Sequence, residues 1–299
     1  MIAMSESGTI LTDMAVEQDE KVTVKLDSQI ANAIQLCAER YNLEHVKHMR
    51  PLRKAPALEH GGVMHTMLAH YYRQKMIGRI PTEHNKVVEE AIMLGRLEAA
   101  QSSFDLVEFD AEDLPTFREY VLAKQYDGWI VKAVEQPFTK LLYSSDDLDI
   151  LYEGIVDVIV EDPKGEQYVV DHKTESRRSV PFILSNQFTG YSWALDRKVC
   201  INKVGYQTSL ANEERFRRYY FTYPDYMIEE WKRDTISAVK QAIGWHREGV
   251  FEKNRTSCDK YSGCIFQKVC VAPPELRDYK LQAYFYKDKP WDPYTRDNE

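Results

Sequence analysis

The sequence predicts an α/β protein. Segments of helical period fill the first half of the chain, two β-branched runs flank a tight charged turn near its middle, and a long amphipathic segment follows the last strand-like run. With 299 residues, 43% of them hydrophobic, the chain can bury a sizeable core, and it is long for one domain without requiring two.

In chain order, residues 1–22 are polar, dotted with methionine and without period, which reads as a flexible tail. A helical period runs from Ser28 to Tyr41. Further helices are expected over Gly62–Lys75, Asn85–Ser102 and Leu114–Val134, giving a helical part at about 28–134. Tyr152–Val160 and Tyr168–Thr174 are apolar and β-branched, and Asp162-Pro163-Lys164-Gly165 between them is turn chemistry, so they form a hairpin of largely buried strands. A helix begins at Gln187, with Trp193, Ala194 and Leu195 continuing its apolar pattern. Cys200 reads as an ordinary buried strand cysteine, and strands are expected at Val204–Thr208 and Arg218–Tyr223, completing a core at about 135–225. A long helix from Tyr226 to Arg247, a cysteine segment to residue 272 and an aromatic, charged tail over 273–299 close the chain. No repeat or low-complexity linker divides residues 23–272, which read as one domain.

The hairpin carries the chemistry. Asp157 lies on its first strand and Asp171-His172-Lys173 on its second. Two buried carboxylates near one another are costly without a partner, and a divalent cation removes both the desolvation and the repulsion. Hard oxygen ligands on few positions suit Mg2+ or Mn2+, which keep waters and coordinate substrate phosphate. Lys173, two residues beyond Asp171, points to the same face of the strand, where its ammonium would meet a phosphate. A single Asp-x-Lys triplet is commonly no more than a solvated surface pair. Gln187 and Tyr191, four residues apart on one helix face, supply further context.

With these pieces the chain resembles the PD-(D/E)XK nuclease superfamily, in its RecB-like branch, where a Gln-x-x-x-Tyr helix follows the catalytic Asp/Glu-x-Lys strand. The matching residues are Gly154-Ile155-Val156-Asp157, Asp171-His172-Lys173 and Gln187 through Tyr191, and the resemblance covers about residues 30–272. It implies a restriction-endonuclease-like core with a mixed central sheet flanked by helices. It also implies a metal-binding histidine on an early helix in a Gly-x-x-His setting, which His65 matches after Gly62, whereas His60, His70 and His84 read as structural. Glu135 lies where members often place a glutamate on a core strand. In the implied mechanism His65, Asp157, Asp171 and the backbone carbonyl of His172 hold one or two ions of Mg2+ or Mn2+. Lys173 positions or deprotonates the attacking water, Gln187 holds Lys173 or the substrate, and Tyr191 contacts a phosphate. Because imidazole tolerates Mn2+ better than Mg2+, manganese is expected to support activity at least as well.

Five cysteines are present, Cys37, Cys200, Cys258, Cys264 and Cys270. An odd count without a signal peptide argues against a disulfide framework and for a reducing compartment, the cytoplasm, including that of a host cell if the protein is phage-encoded. The resemblance implies more for four of them. In iron-sulfur members of the branch one N-terminal and three C-terminal cysteines hold a [4Fe-4S] cluster, which here selects Cys37, Cys258, Cys264 and Cys270. Such a cluster joins the N- and C-terminal parts, closing a loop of over two hundred residues. The two C-terminal gaps are both five residues long, and Ala38 stands where members often have proline. Tetrahedral Zn2+ is the competing occupant.

A net charge of −8 excludes a general nucleic-acid coat, but not a nuclease whose acids cluster at one site. Arg177 and Arg178, just beyond Lys173, are the cations best placed for substrate. No apolar run is long enough to cross a membrane, and no Gly-x-x-x-x-Gly-Lys-Ser/Thr motif supplies a motor. The chain therefore reads as a stand-alone nuclease or a subunit whose motor lies on another chain, and the resemblance implies an exonuclease on single strands or DNA ends, in phage DNA processing, recombination and repair, or CRISPR adaptation, with a partner protein from one of those systems. The alternative is a catalytically weak DNA-binding or assembly subunit that keeps the nuclease fold. The complete set of His65, Asp157, Asp171, Lys173, Gln187 and Tyr191 argues against it.

Overall fold

The strands, in chain order, are β1 (Val22–Leu26), β2 (Met49–Pro51), β3 (Ile130–Ser144), β4 (Leu148–Glu161), β5 (Gln167–Glu175), β6 (Lys198–Gly205), β7 (Arg218–Phe221) and β8 (Phe285–Lys287). These come from a computed structural model, which describes residues 21–102, 104–175, 183–260 and 263–295. The chain forms two compact units. One comprises the chain up to Arg53, Phe138–Gly154 and the chain from Asp225 onward; the other comprises Lys54–Pro137 and Ile155–Pro224. Neither is a contiguous stretch, so the division does not coincide with the helical, core and C-terminal parts read from the sequence.

The second unit holds the expected hairpin. Its end of β4 pairs antiparallel with β5, from Val158↔Val170 to Glu161↔Gln167; β5 runs parallel to β6, and β6 antiparallel to β7. The sheet is mixed. Asp162 builds the turn, its Oδ1 accepting from the backbone N–H of Lys164 and Glu166, and Gly165 takes φ 81° there. Helices Pro56–Met76, His84–Gln101 and Leu114–Lys124 bury Met67, Leu68, Tyr71, Val87, Phe117 and Tyr120 in one core with Val158, Val170 and Val204 of the strands. The Asn186–Leu195 helix starts at Ser185, whose hydroxyl accepts from Phe188 N–H, and stops at left-handed Asp196.

Two expectations are corrected in this unit. The helix predicted over Leu114–Val134 ends at Lys124, and Ile130–Val134 belong to β3. Asp127-Gly128 makes the break, with Gly128 at φ 73° and room for no Cβ, since one would stand 2.7 Å from Pro163 Cγ. The strand expected at Val204–Thr208 instead spans Lys198–Gly205, so Cys200 lies inside it as predicted.

In the first unit β1 pairs parallel with the first part of β4, from Val22↔Leu148 to Leu26↔Tyr152. The strand therefore begins where the sequence reads as a tail. Asp27 caps the Ser28–Leu36 helix through Ile30 N–H at 2.7 Å. The helix predicted to run to Tyr41 breaks at Cys37, whose backbone is extended, and resumes over Ala38–Tyr41. Ala33, Ile34 and Tyr41 pack on Ala238 and Ala242 of the Asp225–Glu248 helix. The C-terminal segment expected as a tail contains the Arg277–Tyr284 helix and β8, which pairs antiparallel with β2. Leu281 and Phe285 anchor it on Leu43, Phe266 and Val269, with the Phe266 and Phe285 rings stacked at 4.7 Å. Among the described residues, no helix is long and apolar enough to cross a membrane.

Candidate active site

The ladder between β4 and β5 ends at Val158↔Val170. Where it ends, Asp157 takes the place of the next backbone acceptor, its Oδ2 receiving the His172 N–H at 2.7 Å. Its Oδ1 faces His65 Nδ1 of the Pro56–Met76 helix at 3.5 Å. Across the hairpin, Asp171 and Lys173 share a face as period 2 requires, with Lys173 Nζ 2.8 Å from Asp171 Oδ2. Gln187 joins them from the Asn186–Leu195 helix. Its Oε1 accepts from Lys173 Nζ at 3.1 Å, and its Nε2 donates to Asp171 Oδ1 at 2.9 Å and to Tyr191 Oη at 3.1 Å. One turn on, Tyr191 donates its hydroxyl proton to the Ile155 carbonyl at 3.0 Å.

The six predicted residues meet in two adjoining bonded sets: His65 with Asp157, which receives the His172 N–H, and Asp171 with Lys173, Gln187 and Tyr191. Tyr191 is buried, its hydroxyl donating to the Ile155 carbonyl and accepting from Gln187 Nε2. For His172 the visible contributions are its N–H and its buried ring. Arg177 and Arg178 lie outside the described residues.

The electrostatics follow from two carboxylates in one buried place. Burial raises the Asp171 carboxyl above its usual range, against the pull of Lys173, and Asp157 pushes the same way as burial. Burial alone would raise Asp157 too, but His65 and the His172 N–H hold it below the usual range. His65 is correspondingly pushed up to about 9, Asp157 outweighing the effect of burial. Among the described residues no three His, Cys, Asp or Glu side chains already close a cage for an ion. The donor set nonetheless fits a divalent cation: Asp171 Oδ2 is buried with no hydrogen bond, meeting only the Lys173 ammonium, and a second carboxylate and an imidazole stand beside it.

A family profile described as the PD-(D/E)XK nuclease superfamily matches residues 29–271. The chain belongs to the PD-(D/E)XK nuclease superfamily. Its members are generally nucleases that use Mg2+ or Mn2+. No curated protein matches the chain. Among solved structures, the crystal structure of SSO0001 is similar over 58% of this chain and 74% of that one, at 16% identity and a TM-score of 0.30, too slight a likeness to carry an argument.

Sequence reasoning missed the support behind this PD-(D/E)XK hairpin. His172, pushed down to about 3 by burial, stacks on Tyr72 with ring centroids 5.3 Å apart. Asn202, its register partner on β6, receives Arg218 Nε at its Oδ1 (3.2 Å), so its amide faces His172 Nδ1 at 2.7 Å and Tyr120 Oη at 2.8 Å. His172 Nδ1 is therefore an acceptor and the ring proton sits on Nε2. Tyr120 in turn meets Tyr72 Oη at 2.6 Å. An asparagine within the apolar Lys198–Val204 run was the available signal. Of the other early histidines, His60 is held between Asp113 and Glu108 and His70 by Glu90, while His84 Nδ1 is buried with no hydrogen bond. Glu135 takes φ 50° within β3.

A second constellation lies in the first unit. Cys37, Cys258, Cys264 and Cys270 line one cavity of about 230 Å³, together with Arg40 and Lys253. Cys37 Sγ accepts the Asn254 N–H at 3.3 Å, and burial pushes the Cys270 thiol up to about 11. Cys200 is fully buried in the other unit, as read. The four thiols thus share one space, with a backbone N–H on one sulfur, though among the described residues no three of them already close a cage for a metal.

Proposed function

We propose that the protein is a metal-dependent deoxyribonuclease, an exonuclease acting on single strands or DNA ends. The observation that carries this is the convergence at one end of the hairpin of two bonded sets, Gln187 tying Asp171 to Lys173 and Asp157 tying β4 to β5 while facing His65. Asp157, Asp171, the His65 imidazole and the His172 carbonyl would hold the cation, Mg2+ or Mn2+. When bound, the cation supplies positive charge to the phosphate and acidity to a water. Lys173 is half exposed, so its ammonium reaches substrate while Asp171 and Gln187 fix its direction, and it orients the attacking water and offsets the charge growing on the phosphoryl oxygens. Gln187 keeps the lysine and the acid in register, and Tyr191 keeps Gln187 in place. Arg177 and Arg178 are proposed to bind the substrate backbone.

The four cysteines are proposed to hold a [4Fe-4S] cluster, with Zn2+ as the less favoured occupant, linking segments over two hundred residues apart within the first unit. The cellular setting that fits is phage DNA processing, recombination and repair, or CRISPR adaptation, with a partner protein from that system. Lys173→Met tests the catalytic assignment: on end-labelled single-stranded DNA with Mn2+ it should lose cleavage while remaining folded, with a lowered melting temperature because Asp171 loses its cation. Cleavage near wild type in that variant would remove the assignment.

A further inference from the structure

The first unit holds a second pocket, which the proposed chemistry does not use. It encloses about 210 Å³, and its walls include Lys25, Asp27, His48, Arg50, Glu153 and Trp291. Two of these are buried polar residues short of partners. His48 is 5% exposed and its Nε2 makes no hydrogen bond; Glu153 is 5% exposed and its Oε2 accepts none, with Lys25 Nζ 3.8 Å away. Buried polar atoms in folded proteins are nearly always satisfied. Two unsatisfied ones on the wall of a single pocket mark a place where a ligand supplies the missing bonds.

The wall chemistry restricts the ligand. Asp27 and Glu153 would repel a bare phosphate, so Lys25 and Arg50 do not make a plain anion site. A carboxylate, a neutral imidazole and a guanidinium side by side offer acceptors and donors together, as the hydrogen-bonding edge of a nucleobase requires. Burial lowers the His48 pKa and keeps that ring neutral, able to donate from one nitrogen and accept at the other. Trp291, 39% exposed, adds a flat indole on which a base can stack. Lys25 is exposed, where a nucleotide's phosphate would meet solvent.

We propose that this pocket binds one unstacked nucleobase carrying an exocyclic amine. Glu153 accepts from the amine, His48 bonds a ring nitrogen and Trp291 stacks on the ring. As a base within a strand, the ligand rests on the nuclease reading above; a free mononucleotide presents the same chemistry.

The test is calorimetric titration of the full chain, without divalent cation, with dCMP, dAMP, dGMP, dTMP and 2-deoxyribose 5-phosphate, and with single-stranded decamers of cytosine or thymine. The expected result is at least ten-fold tighter binding of amine-bearing bases than of thymine or the sugar phosphate. Glu153→Leu, which removes both acceptors, should abolish that preference, and Trp291→Ala should weaken binding by about ten-fold; both should remain folded. Preference in mononucleotides and decamers identifies a pocket open to free nucleotides, and preference in decamers alone identifies a strand-borne base. Sugar phosphate binding as tightly as the nucleotides, or both variants binding like wild type, overturns the proposal. Cleavage measured alongside separates the two readings. Metal-dependent cleavage with no Glu153 or Trp291 dependence of binding leaves the nuclease and removes the pocket, whereas base-selective binding with no cleavage does the reverse.

Discussion

Gln187→Leu keeps the bulk of the side chain and removes both of its polar ends, so its cost can be worked from the site. Asp171 loses the donor at Oδ1 and Lys173 loses the acceptor at Oε1. A hydrogen bond to a charged group contributes roughly 1.5–3 kcal/mol. Lys173 has a side chain 42% exposed, so water replaces its lost bond and its share falls close to nothing. Asp171 is 3% exposed and has no such recourse. The variant should therefore lose about 2–3 kcal/mol of stability, nearly all of it through Asp171. Cleavage should fall about ten- to hundred-fold, since Lys173 keeps Asp171 as a partner but loses its second anchor. Urea denaturation of Gln187→Leu, Asp171→Asn and the double variant forms a cycle, and a coupling of about 1.5 kcal/mol or more is expected between the two positions. Strict additivity, or a Gln187→Leu protein that melts and cleaves as wild type does, would refute the reasoning.

Three further outcomes follow from the geometry. Asp127 lies between Lys75 and Arg218, the latter stacked over Trp129 at 3.3 Å, and although burial opposes it this pair of cations holds its carboxyl below the usual range. A depressed folded pKa gives stability that is full above the unfolded value of about 3.9 and is lost as pH falls through the folded one, so acid melting should show that loss below about pH 4. Asp127→Asn should flatten it and cost about 3–5 kcal/mol at neutral pH, because two buried cations lose their counter-charge. Gly95→Ala should destabilise by roughly 1–3 kcal/mol in the same melting assay, its Cβ falling 2.7 Å from Met67 Cγ and 3.2 Å from Phe109 Cε2 in a filled core. Cys258→Ala should lose visible absorbance and lower the melting temperature of anaerobically purified protein; unchanged absorbance and melting would contradict the cluster.

The site was legible where local pattern and chemistry coincide. Asp157, Asp171 and Lys173 sit on runs whose β-branched neighbours announce strands, and Gln187 and Tyr191 sit on a helix whose spacing announces a face. What escaped depends on tertiary contacts. The break at Cys37 follows no glycine or proline, and the Tyr191 hydroxyl finds a carbonyl 36 residues away in sequence. Asn202 and Tyr120 act through a buried chain of bonds that no periodicity encodes. The C-terminal segment reads as an aromatic, charged tail, yet Leu281 and Phe285 suffice to dock it. Asp127-Gly128 was a readable turn signal inside a run that otherwise kept a helical period.

The most direct test of the central claim is cleavage of end-labelled single- and double-stranded DNA by anaerobically purified protein with Mn2+ or Mg2+, beside Asp171→Ala. Metal-dependent degradation that disappears in the variant, with Mn2+ at least as effective as Mg2+, is the predicted result. Equal inactivity of both proteins, each folded and able to bind DNA, would contradict it and reassign the chain as a non-catalytic partner.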